Sequence, residues 1–160
     1  VQTLRHPQVA AVRDARLAGA ICLVVQDFLS GVSLAQWRLQ HSRPIPWPLA
    51  LSFIARIADV IEVAHRQGIG HGNLKPSNLF FASGVEITEE NLLEAPPCIN
   101  DLGLARPILE SRLPAKMGLP WPAPHYLAPE QLQRQTDAHP AACDLYALGV
   151  IWYELLTCRS

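Results

Sequence analysis

The most informative segment of this 160-residue chain is His71-Gly72-Asn73-Leu74-Lys75-Pro76-Ser77-Asn78. It lies between a stretch with helical periodicity, Leu49 to Arg66, and a short β-rich run, Leu79-Phe80-Phe81. Asp101-Leu102-Gly103 and then Ala128-Pro129-Glu130 follow downstream. These motifs contain a lysine, an amide and a carboxylate, which can supply positive charge and hard oxygen ligands.

The sequence before this segment predicts one buried strand and two helices. Ile21 to Val25 is apolar and β-rich, which favours a buried strand. Ser33 is a candidate N-cap for a short helix, Leu34 to Leu39. Gly68 is the expected end of the second helix, which begins at Leu49. Its apolar stripe is expected to comprise Leu51, Ile54, Ala58, Ile61 and either His65 or Ala64.

The sequence after this segment predicts a hairpin, a loop and a final helix. Leu79 to Phe81 and Cys98 to Asn100 are the expected strands, with a long polar connection between them. Residues 107–125 are rich in proline, which indicates an irregular loop. Asp144 to Leu156 is apolar on most sides, which is typical of a buried helix. Because the chain ends four residues later, we expect this helix to lack packing partners and the chain to be part of a longer protein.

Composition and charge exclude several classes of function. Apolar residues make up 49% of the chain and charged residues 17%, which favours a folded core over disorder. The net charge of −1 gives no electrostatic basis for binding nucleic acid or an anionic membrane, and no apolar run approaches the length of a membrane span. The 4 cysteines form no C-x-x-C pair and the 6 histidines do not cluster, so we expect reduced thiols in a cytoplasmic protein without zinc.

In this order, the three motifs resemble the protein kinase signature H-R-D-x-x-x-x-N, D-F-G and A-P-E. The resemblance implies an α+β, protein-kinase-like fold. Residues 1–30 would form the end of the smaller lobe and the hinge. Residues 31–160 would form the mostly α-helical larger lobe as far as its central helix. Lys75 after Leu74, followed by Pro76, is the serine/threonine-kinase form of the loop.

The resemblance also implies binding of Mg²⁺ and ATP. Asn78 and Asp101 would bind the metal, and Lys75 would lie near the transferred phosphate. Phe80 would lie under the adenine, whose edge would bind the backbone around Asp27 and Leu29. His71, in contrast, is expected to be a packed structural histidine.

The chain departs from the kinase pattern at positions important for catalysis. Asn73 replaces the aspartate that engages the substrate hydroxyl, and its amide is neutral and essentially non-basic. Gly72 replaces the arginine that reads a phosphate on the activation segment, and Ala123 replaces a threonine that contacts the catalytic aspartate. We therefore expect impaired or lost phosphoryl transfer, and no activation by phosphorylation of that segment.

The first part of the chain lacks other catalytic groups of the family. Residues 1–61 contain no lysine and no glutamate, and no G-x-G-x-x-G occurs in the chain, so the smaller lobe is expected to be incomplete. Three functions remain open: a pseudokinase-like module that holds Mg-ATP and protein partners, a weakly active serine/threonine kinase once the smaller lobe is present, and an aminoglycoside-type phosphotransferase. The sequence identifies no protein substrate or partner.

Overall fold

The computed structural model describes residues 4–18, 21–82, 87–88, 91–92, 95, 97–104, 124–133 and 138–159. The strands within these ranges are β1 (Val12–Ala18), β2 (Ile21–Gln26), β3 (Gly31–Ser33), β4 (Leu79–Ala82) and β5 (Pro97–Ile99). The helices are α1 (Leu34–Gln40), α2 (Trp47–His65), α3 (Pro129–Leu132) and α4 (Pro140–Thr157), with 3₁₀ turns at Pro76–Asn78 and Pro124–Tyr126. The predicted α+β class is confirmed.

The strands form two small antiparallel sheets. β1 pairs with β2, and a bulge between Val12 and Asp14 interrupts the register. In the second sheet β4 lies between β3 and β5, so that Phe80 is opposite both Ser33 and Cys98. Strands β1 and β3 were not predicted, because β1 carries charged residues instead of a regular apolar pattern and β3 has only three residues.

The main core forms where α2 packs against α4 and the three-stranded sheet. The buried residues of α2 are Ala50, Phe53, Ile57, Val60, Ile61 and Ala64. The predicted stripe was right at Ile61 and Ala64 and wrong at Leu51, which is 43% exposed. Ile54 and Ala58 are partly buried at the edge of the core. Apolar residues occupy two faces of this helix, and the aromatic contact between Phe53 and Phe81 selects one of them, with ring centroids 5.6 Å apart.

The helix ends follow local sequence signals, although two helices begin earlier than predicted. Ser33 caps α1 in a reciprocal capping box with Gln36, as its position indicated. Gly68 adopts a φ of +73° just beyond α2, in agreement with its predicted role. Helices α2 and α4 begin at Trp47 and Pro140, because a proline fits the first turn of each.

Three other predictions need correction. The connection between β4 and β5 is not simply polar, since Ile87 and Leu92 are buried there. Strand β5 ends at Ile99, so Asn100 is not part of it. Helix α4 buries one face, whereas Leu145 is 60% exposed and Tyr153 52% exposed. Residues 107–123 of the predicted loop 107–125 lie outside the described residues.

None of the described helices is long and apolar enough to cross a membrane.

Helix α4 positions the loop that carries the first motif. The Asp144 carboxylate is 1% exposed and accepts hydrogen bonds from the backbone N–H groups of His71 (2.8 Å) and Gly72 (2.7 Å). It also contacts the His65 ring through Nε2 at 2.7 Å. Gly70 permits this approach, because a Cβ there would lie 2.4 Å from the Cβ of Pro140. His71 is fully buried, which agrees with a packed structural role.

The buried face of α2 can be tested by two alanine substitutions. Ile57→Ala should lower the free energy of unfolding by about 2–5 kcal/mol, because it opens a cavity at a fully buried position. Leu51→Ala, on the face that the sequence predicted, should cost about 0.5 kcal/mol or little more. Urea unfolding of both variants measures the difference. Equal losses would contradict the observed orientation of α2.

Stability should also depend on the pH through His71. Burial lowers the pKa of its imidazole, and the nearby carboxylates of Asp144 and Asp101 offset only part of this effect. The unfolded ring has a pKa of about 6.5, so the unfolded state binds the extra proton below that pH. The free energy of unfolding should therefore fall as the pH decreases from 6.5 toward the lower folded-state pKa, by up to about 1.4 kcal/mol per pH unit.

Urea unfolding between pH 7.5 and pH 5, compared with His71→Leu, isolates this contribution. Leucine fills a similar volume and carries no proton, so the variant should lose stability less steeply on acidification. Parallel curves for the two proteins would show that His71 is not the group responsible.

Candidate functional site

A cleft of about 300 Å³ lies where the end of β2 meets β4. Its lining residues are Gln26, Asp27, Phe28, Leu29, Phe80 and Asn100. The structure thus brings together the three residues that the sequence assigned to base binding, Asp27, Leu29 and Phe80. The volume is at the lower end of the range for small-molecule sites.

Strand β4 directs Phe80 into this cleft. Its neighbours Leu79 and Phe81 are each 1% exposed and belong to the core. Because successive side chains of a strand point to opposite faces, Phe80 lies on the other side of the sheet. Its partly exposed ring therefore offers an apolar surface for a planar ligand.

The backbone beyond β2 offers fewer ligand groups than the sequence suggested. The N–H of Asp27 donates to the Ala11 carbonyl at 2.9 Å and is not available to a ligand. The Asp27 carboxylate binds the Arg13 guanidinium through two hydrogen bonds of 2.6 and 3.0 Å, which lower the pKa of that carboxyl. The Asp27 carbonyl and the Leu29 backbone remain for an adenine edge.

The loop between α2 and β4 fixes the first predicted metal ligand. The N–H of Asn78 donates to the Lys75 carbonyl at 2.9 Å, which closes the 3₁₀ turn. The side-chain Nδ2 of Asn78 donates to the Asn73 carbonyl, also at 2.9 Å. This second bond uses the donor side of the amide. Within the residues that the structure describes, no donor meets its Oδ1.

Asp101 lies beside this loop in a strained backbone conformation. The N–H of Asn100 donates to the Asn78 carbonyl at 2.9 Å, so the residue before Asp101 contacts the backbone of Asn78. Asp101 has a φ of +60°, which is uncommon for a residue other than glycine. Leu102 is 6% exposed and packs into the core, as expected for an apolar residue in the middle of this motif.

The donor set fits a hard cation that brings further ligands with it. Asn78 Oδ1 and the Asp101 carboxylate are oxygen donors of the kind that Mg²⁺ prefers. Among the described residues, no group of three or more His, Cys, Asp or Glu side chains could hold a metal ion. A magnesium ion at this position would therefore need phosphate oxygens or water as additional ligands, as Mg²⁺ sites commonly do.

Asn73 and Lys75 lie on the same loop with partly exposed side chains. The Asn73 backbone carbonyl accepts a hydrogen bond from Asn78, whereas its side-chain amide makes no hydrogen bond within the described residues. The Lys75 ammonium likewise forms no ion pair with the residues that the structure describes. Both side chains can therefore face an incoming ligand.

The third motif is tied to the loop through Gln131. Its Nε2 donates to the Gly72 carbonyl at 2.9 Å, and its Oε1 accepts from the N–H of Ala128 at 3.0 Å. Gly72 itself adopts a φ of +71°. A neutral amide therefore links the loop to the segment after residue 123, whereas Ala123 lies outside the described residues.

Sequence reasoning assigned no site role to Gln26, Asn100 or Asp144. Gln26 is polar at the end of an otherwise apolar strand, and Asp144 is charged within a mostly apolar helix. A polar residue in such a pattern commonly has a buried partner, so this signal was present. Asn100 directly precedes Asp101 and has no comparable signal.

Comparison with known proteins identifies the family of this chain. The family described as "Protein kinase domain" matches residues 1–160. A Streptomyces coelicolor protein named serine/threonine-protein kinase PkaA is 30% identical over 156 residues, which cover 98% of this chain and 27% of that protein. A Myxococcus xanthus protein named serine/threonine-protein kinase Pkn1 is 30% identical over 161 residues, or 99% of this chain and 21% of that protein.

A third relative has the same general description. It is a Lactococcus lactis protein named probable serine/threonine-protein kinase PknB, 28% identical over 154 residues that cover 96% of this chain and 22% of that protein. The chain thus spans between 21% and 27% of the length of these three relatives. Since the family match covers the whole chain, the chain belongs to the protein kinase family.

Proposed function

We propose that this chain is part of a serine/threonine-protein-kinase-like domain that binds Mg-ATP, with phosphoryl transfer to protein hydroxyls impaired or lost. The main support is the cleft shared by Asp27, Leu29 and Phe80, which borders Asn100 and hence Asp101. Residues 1–30 would supply the end of the smaller lobe and the hinge, and residues 31–160 the larger lobe. The proposal includes the cytoplasmic location expected from the cysteine pattern.

The nucleotide would lie across the cleft toward the loop that follows α2. The adenine would pack on Phe80 and bind the Asp27 carbonyl and the Leu29 backbone. Asn78 Oδ1 and the Asp101 carboxylate would hold Mg²⁺, which neutralises phosphate charge when bound. Lys75 has an unpaired ammonium within the described residues and would stabilise the phosphate end.

The impairment follows from the chemistry of Asn73. An amide can accept a hydrogen bond through its carbonyl but cannot take a proton at neutral pH. Loss of general-base assistance typically lowers a rate by about 10²–10⁴-fold. Positioning and charge stabilisation by Lys75, Asn78 and Asp101 would remain, which leaves a weakly active serine/threonine kinase as the alternative. The three relatives above are all named as protein kinases, so they give no support to an aminoglycoside-type phosphotransferase.

Nucleotide binding is tested by thermal unfolding of the full-length protein that carries this chain. Mg-ATP should raise the melting temperature, because a ligand at about 100 times its Kd stabilises the folded state by about 2.7 kcal/mol. Asp101→Ala should abolish the additional effect of Mg²⁺. The same substitution at the exposed Asp14 is the control and should leave the shift unchanged. If ATP produced no shift in the unaltered protein, the binding proposal would fail.

The role of Asn73 is tested by transfer of labelled γ-phosphate to a generic protein substrate. The unaltered full-length protein should transfer little, and Asn73→Asp should raise the rate by about 10²-fold or more by restoring a carboxylate. Asn91→Asp, the same change outside the cleft, should have no effect. Robust transfer by the unaltered protein would contradict the proposed impairment. Failure of Asn73→Asp to increase transfer would show that position 73 is not the limiting defect.

A further inference from the structure

Gln26 ends strand β2 and lies against both parts of the site. Its backbone pairs with Val12 in the β1–β2 hairpin, and its side chain lines the cleft. The next residues along the chain, Asp27 to Leu29, form the base end of that cleft. The amide of Gln26 extends from this end toward the segment that contains Asp101.

Two hydrogen bonds connect Gln26 to that segment. Its Nε2 donates to Oδ1 of Asn100 at 2.9 Å and to Oδ1 of Asp101 at 3.2 Å. These bonds span 74 and 75 positions of the sequence, so they join parts of the fold that local structure does not connect. They also fix the orientation of the Gln26 amide, because the opposite orientation would place its oxygen against two acceptor oxygens.

The other end of the Gln26 amide has no compensating contact. Its Oε1 is buried and meets no hydrogen-bond donor among the described residues. A buried acceptor without a partner destabilises a folded protein, which offsets part of the stability that the two Nε2 hydrogen bonds contribute. A polar group retained at such a cost is commonly associated with a functional site.

We propose that Gln26 is a positioning residue that orients the Asp101 carboxylate for magnesium, a role that rests on the proposed function. By holding Oδ1 of Asp101, it leaves Oδ2 to face a cation that Asn78 Oδ1 shares. Asp101 is partly exposed, so its carboxylate needs such a contact to keep one orientation. Gln26 thereby links the backbone that binds the base to the carboxylate that binds the metal.

The first test compares ATP binding to the full-length protein with Mg²⁺ and with EDTA, by calorimetry. In Gln26→Met, the increase in ATP affinity that Mg²⁺ causes should shrink by about 10-fold, the lower end of the usual effect of an outer-shell partner. Affinity in EDTA is the reference that divides out any direct effect of this cleft-lining side chain on ATP. The melting temperature without ligand should change little, because the loss of two hydrogen bonds and the removal of a buried unpaired oxygen oppose each other. The same substitution at the exposed Gln40 should alter none of these values.

The second test does not depend on nucleotide or metal. In ¹⁵N NMR spectra of the ligand-free protein, the two signals of the Gln26 side-chain amide should exchange slowly with water and lie away from those of exposed glutamines. Asp101→Ala should shift these signals. A Gln26 amide with the signals of a solvent-exposed glutamine would overturn the proposal, as would a full Mg²⁺ effect in Gln26→Met. Protected amide signals in a protein that fails to bind Mg-ATP would instead refute the proposed function and, with it, the metal role of Gln26.

Discussion

The arrangement of the whole site depends on the buried carboxylate of Asp144. It accepts hydrogen bonds from two consecutive backbone N–H groups, at His71 and Gly72, and contacts the His65 ring. A carboxylate buried this deeply is tolerated only when its oxygens are satisfied, so the loop and helix α4 constrain each other. Asn73, the next residue of the loop, inherits its position from this contact.

From that anchor, contacts between neutral groups extend to the cleft. Asn78 binds the Asn73 carbonyl, the N–H of Asn100 binds the Asn78 carbonyl, and Gln26 binds Asn100. Each of these contacts joins groups that carry no net charge. Their strength should therefore vary little with salt concentration, in contrast to the exposed ion pair between Arg13 and Asp27.

The sequence predicted those features that short segments encode. The cap at Ser33, the helix end at Gly68 and the position of Phe80 on a strand depend on nearby residues, and the structure agrees with each. The buried face of α2 could be predicted only in part, because apolar residues extend over two faces of that helix, and contacts with α4 and with Phe81, both distant in sequence, distinguish them. The partners of Gln26 and Asp144 lie more than 70 positions away in the sequence, where no local pattern indicates them.

Gly70 has a consequence for variation in this protein. Pro140, which would collide with any side chain at position 70, lies one helical turn before Asp144. Even a methyl group would thus push the first turn of α4 outward and carry the carboxylate away from the amides it binds. Position 70 therefore tolerates no residue other than glycine without loss of loop geometry, although it does not line the cleft. A change there would disturb the candidate site from outside it.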